Sequence, residues 1–268
     1  MRIYANLFPN GKKAALTMSY DDGKIYDKRL VEIFNKNGIK GTFHLNSSRM
    51  SGTDSTFVSL DEIKDVYKGH EVSCHTATHP FPDITPDTTM VNEILEDRRA
   101  LEKACGYTVR GMSYPYGNYS ERDIRILAAC GMRYSRTTIA TNNFNLPENF
   151  MKWNPTCHHK NANLMGLFDS MLEQTKRYLR HSVMYVWGHS YEFNNDNNWE
   201  IMEEFCAHAG GHEDVWYATN IEIYDYIAAS RALMVGVDGT SVYNPSNITV
   251  WVSADGVPTA IKPGENLL

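Results

Sequence analysis

The sequence lacks long apolar runs, clustered basic residues and paired cysteines. No stretch approaches the roughly 18 consecutive apolar residues of a membrane-spanning helix, so we expect no membrane span. Lysine and arginine number 26 against 32 aspartate and glutamate residues, giving a net charge of −6. Because no basic cluster is present, nucleic acid and anionic membranes are not expected partners. Nothing in the sequence specifies an oligomeric state.

The cysteines are odd in number, scattered and never arranged as C-x-x-C: Cys74, Cys105, Cys130, Cys157 and Cys206. This pattern favours small buried residues in a reducing compartment over a disulfide framework. The first residues, MRIYANLFPNGKK, contain neither the apolar stretch nor the small-residue cleavage site of a signal peptide. We therefore expect a cytoplasmic protein, provided that the printed start is the native one.

Apolar runs and helical periodicities alternate along most of the 268 residues. The first predicted strands are Ala14–Ser19, Gly41–Asn46, Glu71–His75 and Val109–Tyr114, and a predicted helix follows each. Such alternation requires a parallel sheet with crossover helices. About seven or eight units predict an α/β fold, a distorted (β/α)7–8 barrel rather than an open sheet.

The chain changes character after residue 232. Asp238-Gly239 and Asp255-Gly256 each separate β-branched residues, which predicts two hairpins. We therefore predict two units, a barrel domain over 1–232 and a β-hairpin extension over 233–268.

Reactive side chains follow the predicted strands, where the active face of a barrel lies. Asp21 and Asp22 follow the first strand, and His75 and His79 follow the third. Imidazoles four residues apart on one helical turn share a face and can hold one ion. Two histidines with one aspartate are typical of a catalytic zinc site, and equally of the facial triad of an iron oxygenase. Taken alone, the two acids are also common turn residues.

Four segments together resemble the motifs of the polysaccharide deacetylase family, carbohydrate esterase family 4. Ser19–Gly23 (SYDDG) is similar to its first motif, and His75–His79 (HTATH) matches its second. Tyr114–Gly117 (YPYG) resembles its third, and Val186–His189 (VWGH) its fifth. The order and spacing are also those of the family, and the resemblance covers about residues 12–230.

The resemblance implies a site and a reaction. One divalent metal ion, most often zinc, would be held by Asp22, His75 and His79. Asp21 would be the general base toward the catalytic water, and His189 the general acid toward the leaving amine. The backbone N–H of Tyr116 would help to hold the oxyanion, with Tyr114 and Pro115 beside it. The implied substrate is an acetylated sugar or oligosaccharide, from which an N- or O-acetyl group is removed.

The chain also departs from the family pattern. Ser113 stands where the third motif usually has an arginine, and Arg110 lies too early on the strand to be assumed a replacement. Either another group tethers the base, or the base is tuned differently. No Asp-x-x-Asp-Trp fourth motif is apparent, although Trp153 could fill its hydrophobic place. An acid at His189 needs a carboxylate or carbonyl on its other nitrogen, and the sequence names none.

Three further residues are secondary candidates. His44 follows the second strand and could bind substrate or orient a metal ligand, or be a core histidine. His158 could touch substrate or lie in a plain loop, and Glu192 lies among aromatic residues at the predicted rim. Two other functions stay open: hydrolysis of a non-sugar amide or cyclic imide, and carbohydrate binding by a catalytically degenerate protein.

Overall fold

The computed structural model describes residues 1–177 and 180–268. Its strands, in chain order, are β1 (Ile3–Tyr4), β2 (Ala14–Asp21), β3 (Gly41–Leu45), β4 (Glu71–Cys74), β5 (Gly111–Ser113), β6 (Tyr134–Arg136), β7 (Cys157–His158), β8 (Ser182–Gly188), β9 (Val215–Tyr217), β10 (Met234–Val235), β11 (Ser241–Asn244), β12 (Val250–Ala254), β13 (Val257–Ile261) and β14 (Gly264–Leu267).

The α-helices within the described residues connect and flank these strands. They are α1 (Asp27–Lys36), α2 (Ile63–Val66), α3 (Asp87–Cys105), α4 (Glu121–Ala129), α5 (Leu164–Arg177), α6 (Ser190–Asn195), α7 (Glu200–Ala209) and α8 (Asn220–Arg231). The predicted helix Asn163–Arg180 corresponds to α5, and residues 178–179 of that prediction lie outside the described residues. The predicted helix Leu60–Tyr67 is a 3-10 turn followed by the short α2.

A curled parallel sheet forms the centre of the molecule, in the order β6-β5-β4-β3-β2-β8-β7, and β9 pairs with the first half of β2. A single parallel bridge between Arg136 and Trp153 lies in the gap between the two edge strands. The α/β barrel prediction is therefore confirmed. Strands β6 and β7 were missed by the sequence analysis because three and two residues are too few to show a periodicity.

Strand β2 shows how the sequence builds both faces of this sheet. All eight of its residues are buried, and successive side chains point to opposite faces. Leu16, Met18 and Tyr20 belong to the apolar core that includes residues of the surrounding helices. The alternate side chains, Ser19 and Asp21, make polar contacts with groups from other strands inside the barrel. The barrel interior is therefore partly polar, and β2 ends in a carboxylate.

Beyond the barrel, two three-stranded antiparallel sheets form, β10-β11-β14 and β1-β12-β13. Both predicted hairpins are confirmed as pairs β10–β11 and β12–β13. Asp255 and Gly256 have φ values of 47° and 87°, as the two-residue turn between β12 and β13 requires. The N-terminal strand β1 also pairs with β12, so the β extension includes residues from the other chain end. The division at residue 232 stays a prediction.

The five cysteines are buried and unpaired with one another, as expected. Among the residues described, none of the helices combines the length and the apolarity that crossing a membrane requires.

Candidate active site

The predicted site residues meet at the carboxyl ends of the parallel strands. Asp21 is the last residue of β2, His75 follows β4, Tyr116 lies just after β5, and His189 follows β8. Because parallel strands all end on the same side of the sheet, these side chains reach one mouth of the barrel although they are distant in sequence.

Asp22, His75 and His79 converge on one point. The Nε2 atoms of the two histidines are 3.1 Å apart, and they lie 3.9 Å and 3.8 Å from Asp22 Oδ1. The helical-turn explanation of the histidine spacing is wrong, because His75–His79 is an irregular loop. Positive φ values at Thr76 (66°) and His79 (67°) fold this loop back, and Asp22 has a φ of 79°. Such strained residues cluster at functional sites.

The donor set suits a divalent cation such as zinc. His75 Nδ1 lies 2.9 Å from the carbonyl oxygen of Ser113, so the ring donates its proton there and keeps Nε2 unprotonated. Burial and the neighbouring His75 lower the pKa of His79 to about 4, so its imidazole is neutral, as a metal ligand must be. These residues therefore fit a bound ion.

Buried hydrogen bonds hold the loop that carries His75. Asn46 Nδ2 donates to the carbonyls of His75 and Thr76, at 2.7 and 2.9 Å. The buried carboxylate of Asp97, on α3, accepts from the backbone N–H groups of Ser47 (2.8 Å) and His75 (3.0 Å). Burial raises the pKa of Asp97 to about 7, against the effect of these donors. Helix α3 thus fixes the loops that follow both β3 and β4.

Arg136 supplies the cation that the third motif lacks. Its guanidinium contacts Asp21 Oδ2, and both side chains are buried. Nε also donates to Ser19 Oγ (3.1 Å), and the guanidinium lies 4.5 Å from the centre of the Trp187 ring. Burial favours the neutral carboxyl, but Arg136 outweighs it and holds the pKa of Asp21 well below its usual range. Of the two alternatives left by the sequence, another group does tether Asp21.

Arg136 was not predicted from the sequence, because it lies on β6, one strand beyond the motif. The sequence feature that could have revealed it is its place after α4, where the alternation of helices and strands predicts another strand. Arg110 does not serve this purpose, because its guanidinium binds the carboxylate of Asp225 at 2.8 and 2.7 Å.

Ser113 stands in the position of the missing arginine and links two site residues. Its hydroxyl donates to Asp21 Oδ1 at 3.0 Å and lies 2.7 Å from His75 Nδ1. The N–H at His75 Nδ1 faces both the carbonyl oxygen and the hydroxyl oxygen of Ser113, so the hydroxyl oxygen can share that proton while its own proton goes to Asp21. A continuous hydrogen-bonded path therefore joins the metal-ligand candidate His75 to Asp21.

Glu192 provides the carboxylate partner of His189 that the sequence did not name. Glu192 Oε1 lies 2.7 Å from His189 Nδ1, at the start of α6. Burial of His189 opposes its charged form, but the bond to Glu192 and the charges of Asp21 and Asp22 raise the pKa of His189. The i, i+3 spacing of a histidine and a glutamate at a helix start was the available signal.

His158, His189 and Glu192 form a second group with metal-ligand atoms close together. The His158 ring accepts a bond from the backbone N–H of Lys160 at Nδ1 (3.2 Å), which leaves its proton on Nε2, facing Glu192 Oε2 at 3.5 Å. Lys160 Nζ lies 3.1 Å from the same Glu192 oxygen, and buried His159 lies 3.2 Å from it. A protonated ring nitrogen and an ammonium group disfavour a cation here, so we interpret this group as polar support for His189.

Three of the candidate residues, Tyr114, Trp153 and His44, lie in the core. Tyr114 is buried and donates to the carbonyl of Met151 at 2.9 Å, so its predicted place among substrate-contacting residues is wrong for its side chain. Trp153 is buried and packs against Phe150 and other aromatic rings, which agrees with the hydrophobic place predicted for it. His44 is fully buried, bonds Ser19 Oγ at 2.9 Å, and has its pKa lowered to about 3 by burial, so it cannot touch substrate.

Pro115 and Tyr116 form the turn after β5. Pro115 is buried, whereas Tyr116 is 53% exposed and has a φ of 58°. The N–H groups of Gly117 and Asn118 bond within this turn, and in the described residues the N–H of Tyr116 has no backbone acceptor. That N–H is therefore available at the mouth of the barrel.

Comparisons with known proteins agree with the motifs. Residues 9–135 match the family model described as Polysaccharide deacetylase. Chitin deacetylase 1 of Cryptococcus neoformans is 26% identical over 43% of this chain and 24% of its own length. Chitooligosaccharide deacetylase of Sinorhizobium fredii is 25% identical over 43% of this chain and 53% of its own length. The matched segments thus span about half, or less, of these curated relatives.

A similar structure covers more of the chain. A Mycobacterium smegmatis protein that carries a polysaccharide deacetylase name has a TM-score of 0.63 at 16% identity, over 84% of this chain and 93% of its own. At that identity the likeness concerns the fold, which is the same parallel barrel. The family match covers slightly less than half of the chain, including Asp21, Asp22, His75 and His79, and together with the shared fold it supports the resemblance to polysaccharide deacetylases that the motifs indicated.

Proposed function

We propose that the protein is a metal-dependent hydrolase that removes an acetyl group from an N- or O-acetylated carbohydrate. One observation carries the proposal: the ligand atoms of Asp22, His75 and His79 lie within 4.8 Å of one another at the barrel mouth. Asp21 and His189, each with its own charged partner, belong to the same mouth. The family match and the names of the two curated relatives support the substrate class.

Asp21 is proposed as the general base. A divalent ion bound by the three ligands would lower the pKa of a water molecule and polarise an acyl carbonyl. Asp21 remains ionised because Arg136 stabilises its charge, so it can accept the proton of the attacking water. Ser113 donates to Oδ1 of the same carboxylate, which fixes the orientation of Asp21.

His189 is proposed as the general acid. An amine is a poor leaving group, so it must be protonated before the carbon–nitrogen bond breaks. The Glu192 carboxylate accepts from Nδ1 and raises the pKa of His189, which keeps a proton on the ring near neutral pH and leaves Nε2 to deliver it. The N–H of Tyr116 would donate to the oxygen that becomes negative during attack.

The test measures acetate release from a panel of acetylated mono- and oligosaccharides, with zinc or cobalt added to metal-depleted protein. Asp21→Asn should retain bound metal while acetate release falls at least about 100-fold, the lower bound of general-base assistance. Asp61→Asn, at an exposed acid outside the site, is the matched control. Equal loss of metal and activity in Asp21→Asn would make Asp21 a ligand and would refute the assigned roles.

A second variant tests the acid. His189→Ala should retain metal and should reduce hydrolysis of an amide far more than that of an acetate ester with a phenolate leaving group, which needs no protonation. His208→Ala, at an exposed histidine, is the control. Equal losses on both substrates would mean that His189 shapes the pocket instead. If no sugar releases acetate but cyclic imides or simple amides are hydrolysed, the non-sugar hydrolase is favoured. If sugars bind and none is hydrolysed, the catalytically degenerate carbohydrate-binding protein is favoured.

A further inference from the structure

A fully buried carboxylate, that of Asp27, takes part in no step proposed so far. Asp27 is the first residue of α1. Its Oδ1 accepts from the Ser190 hydroxyl at 2.5 Å, and its Oδ2 accepts from the Tyr67 hydroxyl at 2.8 Å. Ser190 directly follows His189, whereas Tyr67 follows α2. The side chain of Asp27 therefore joins three separate segments of the chain.

Burying this carboxylate costs folding free energy that a neutral side chain would avoid. Burial raises the pKa of Asp27 to about 7 against the effect of the two hydroxyl donors, and the charges of Asp22 and Asp21 raise it further. Neutral hydroxyl groups compensate a buried negative charge less than a lysine or arginine partner would. Carboxyl groups perturbed in this way are often found at functional sites. The position of Asp27 therefore calls for an explanation beyond stability.

The Asp27 side chain links the loop after β2 to the loop after β8. The backbone N–H of Asp27 donates to the carbonyl of Lys24 at 2.9 Å, which ties Asp27 to the turn that follows Asp22. On the other side, Ser190 is fully buried and begins α6, directly after His189. Because β2 and β8 are neighbouring parallel strands, the two loops leave the sheet side by side. The Asp27–Ser190 bond thus connects the loop of a proposed metal ligand with that of the proposed acid.

Ser190 lies in the turn that orients the acid. The N–H of Glu192 donates to the carbonyl of His189 at 3.2 Å, and the Glu192 carboxylate lies 2.7 Å from His189 Nδ1. A shift of Ser190 would therefore move this pair relative to Asp21 and to the metal ligands. A misplacement of about 1 Å between reacting groups can lower a rate about 100-fold.

We propose that Asp27 is a positioning residue, whose hydrogen bond to Ser190 fixes the start of α6 against the loop that follows β2. The bond thereby holds His189 in place relative to the proposed base and metal ligands. This inference rests on the proposed function, because the acid role of His189 belongs to it. Asp27 itself touches no substrate in this role, since it is fully buried.

The experiment compares two deletions of single hydrogen bonds to the same carboxylate. Ser190→Ala removes the bond on the side of His189, and Tyr67→Phe, the matched control, removes the bond on the other side. Ser190→Ala should lower kcat for an N-acetyl amide about 10- to 100-fold with KM little changed. Hydrolysis of an acetate ester with a phenolate leaving group should fall less than about threefold, because it needs no acid. Tyr67→Phe should leave the amide-to-ester ratio of kcat unchanged.

Asp27→Asn tests whether the hydrogen bond itself is responsible. The amide oxygen can still accept from Ser190, so this variant should keep most of the amide-to-ester ratio that Ser190→Ala loses. If Asp27→Asn loses the ratio as fully as Ser190→Ala, the proposal is overturned, because the charge and not the bond would then matter. Equal losses on amide and ester in Ser190→Ala, or a loss of the ratio in Tyr67→Phe, would also overturn it, because Asp27 would then support the fold in general.

Hydrogen exchange, measured by mass spectrometry on metal-depleted protein, separates this proposal from the proposed function. The backbone amides of α6 should exchange about five- to tenfold faster in Ser190→Ala than in the wild type, because one buried hydrogen bond is lost. Their exchange should not change in Tyr67→Phe. These results are expected even if no acetylated substrate is hydrolysed. Unchanged exchange of α6 in Ser190→Ala would refute the positioning role of Asp27 alone.

Discussion

Replacing Arg136 tests whether the relocated arginine is what keeps Asp21 charged. The informative set is Arg136→Met, Asp21→Asn and the double variant. Methionine replaces the aliphatic part of the arginine side chain and carries no charge, so Arg136→Met leaves the Asp21 carboxylate buried without its countercharge. Asn at position 21 removes the charge that needs compensating.

The expected magnitudes follow from burial. Both partners are almost fully buried, and removing one partner of such a pair typically costs about 3–5 kcal/mol of unfolding free energy. Arg136→Met should fall in this range. The double variant should be clearly more stable than Arg136→Met, by about 2 kcal/mol, because no unpaired charge remains.

The pKa shift of Asp21 also determines how the unfolding free energy should change with pH. In the wild type the pKa of Asp21 is lowered, so its stabilisation is present above the unfolded value of about 3.9 and is lost as the pH falls through the lower folded pKa. In Arg136→Met burial raises the pKa of Asp21, so the destabilisation is present at neutral pH and is relieved as the pH falls. The difference in unfolding free energy between the wild type and Arg136→Met should therefore decrease as the pH falls from 7 to 5.

Urea unfolding of the four metal-depleted proteins, with a chelator present, measures these quantities. If Arg136→Met lowers the unfolding free energy by less than about 1 kcal/mol, the reasoning is refuted, because an uncompensated buried carboxylate should destabilise the fold by more than that. A double variant that lost the full sum of the two single losses would refute it as well, because the two side chains would then contribute to stability independently.

Further predictions concern the other polar groups of the site. Glu192→Gln should lower the pKa of His189, so the alkaline fall of kcat/KM for an amide substrate, measured as a pH profile, should move to lower pH, with no shift for an aryl ester. Asp97→Asn places an amide NH2 opposite the backbone N–H of Ser47 or His75, which loses one hydrogen bond that holds the loop of His75. Metal binding, measured by chelator competition, should therefore weaken at least about tenfold. Zinc at 1,000 times its Kd should raise the unfolding free energy by about 4 kcal/mol and therefore raise the thermal midpoint, and a chelator should reverse both changes. An unchanged midpoint would argue against the metal site.

The sequence predicted those parts of the fold that repeat or are long. The buried run of β2, the glycine-terminated helices and the Asp-Gly hairpins each carry a local pattern, and all were found. The two short strands β6 and β7 were missed, because their positions depend on pairing with neighbours rather than on their own residues.

The candidate site was predicted where its members belong to local motifs and not where they meet only in space. The gathering of Asp22, His75 and His79 was predicted, although the reason given for the histidine spacing was wrong. Arg136 reaches Asp21 from a separate strand, and the order of barrel strands decides that contact. Predicting it from sequence would have required the register of β5 against β6.

The pairing of β1 with β12 brings the two ends of the chain together. Leu268 donates its N–H to the carbonyl of Thr240 at 2.9 Å, and the carbonyl oxygen of Met1 lies 3.0 Å from where a Cβ on neighbouring Gly239 would stand. Closing this pairing constrains nearly the whole chain as one loop, so it carries a large entropic cost and we expect it to form late in folding. A circular permutant that joins these ends and opens at an exposed loop, such as residues 51–55, would turn β1 and β12 into near neighbours along the chain. Such a chain should form the β1-β12-β13 sheet early, while leaving the order of barrel strands around the mouth unchanged.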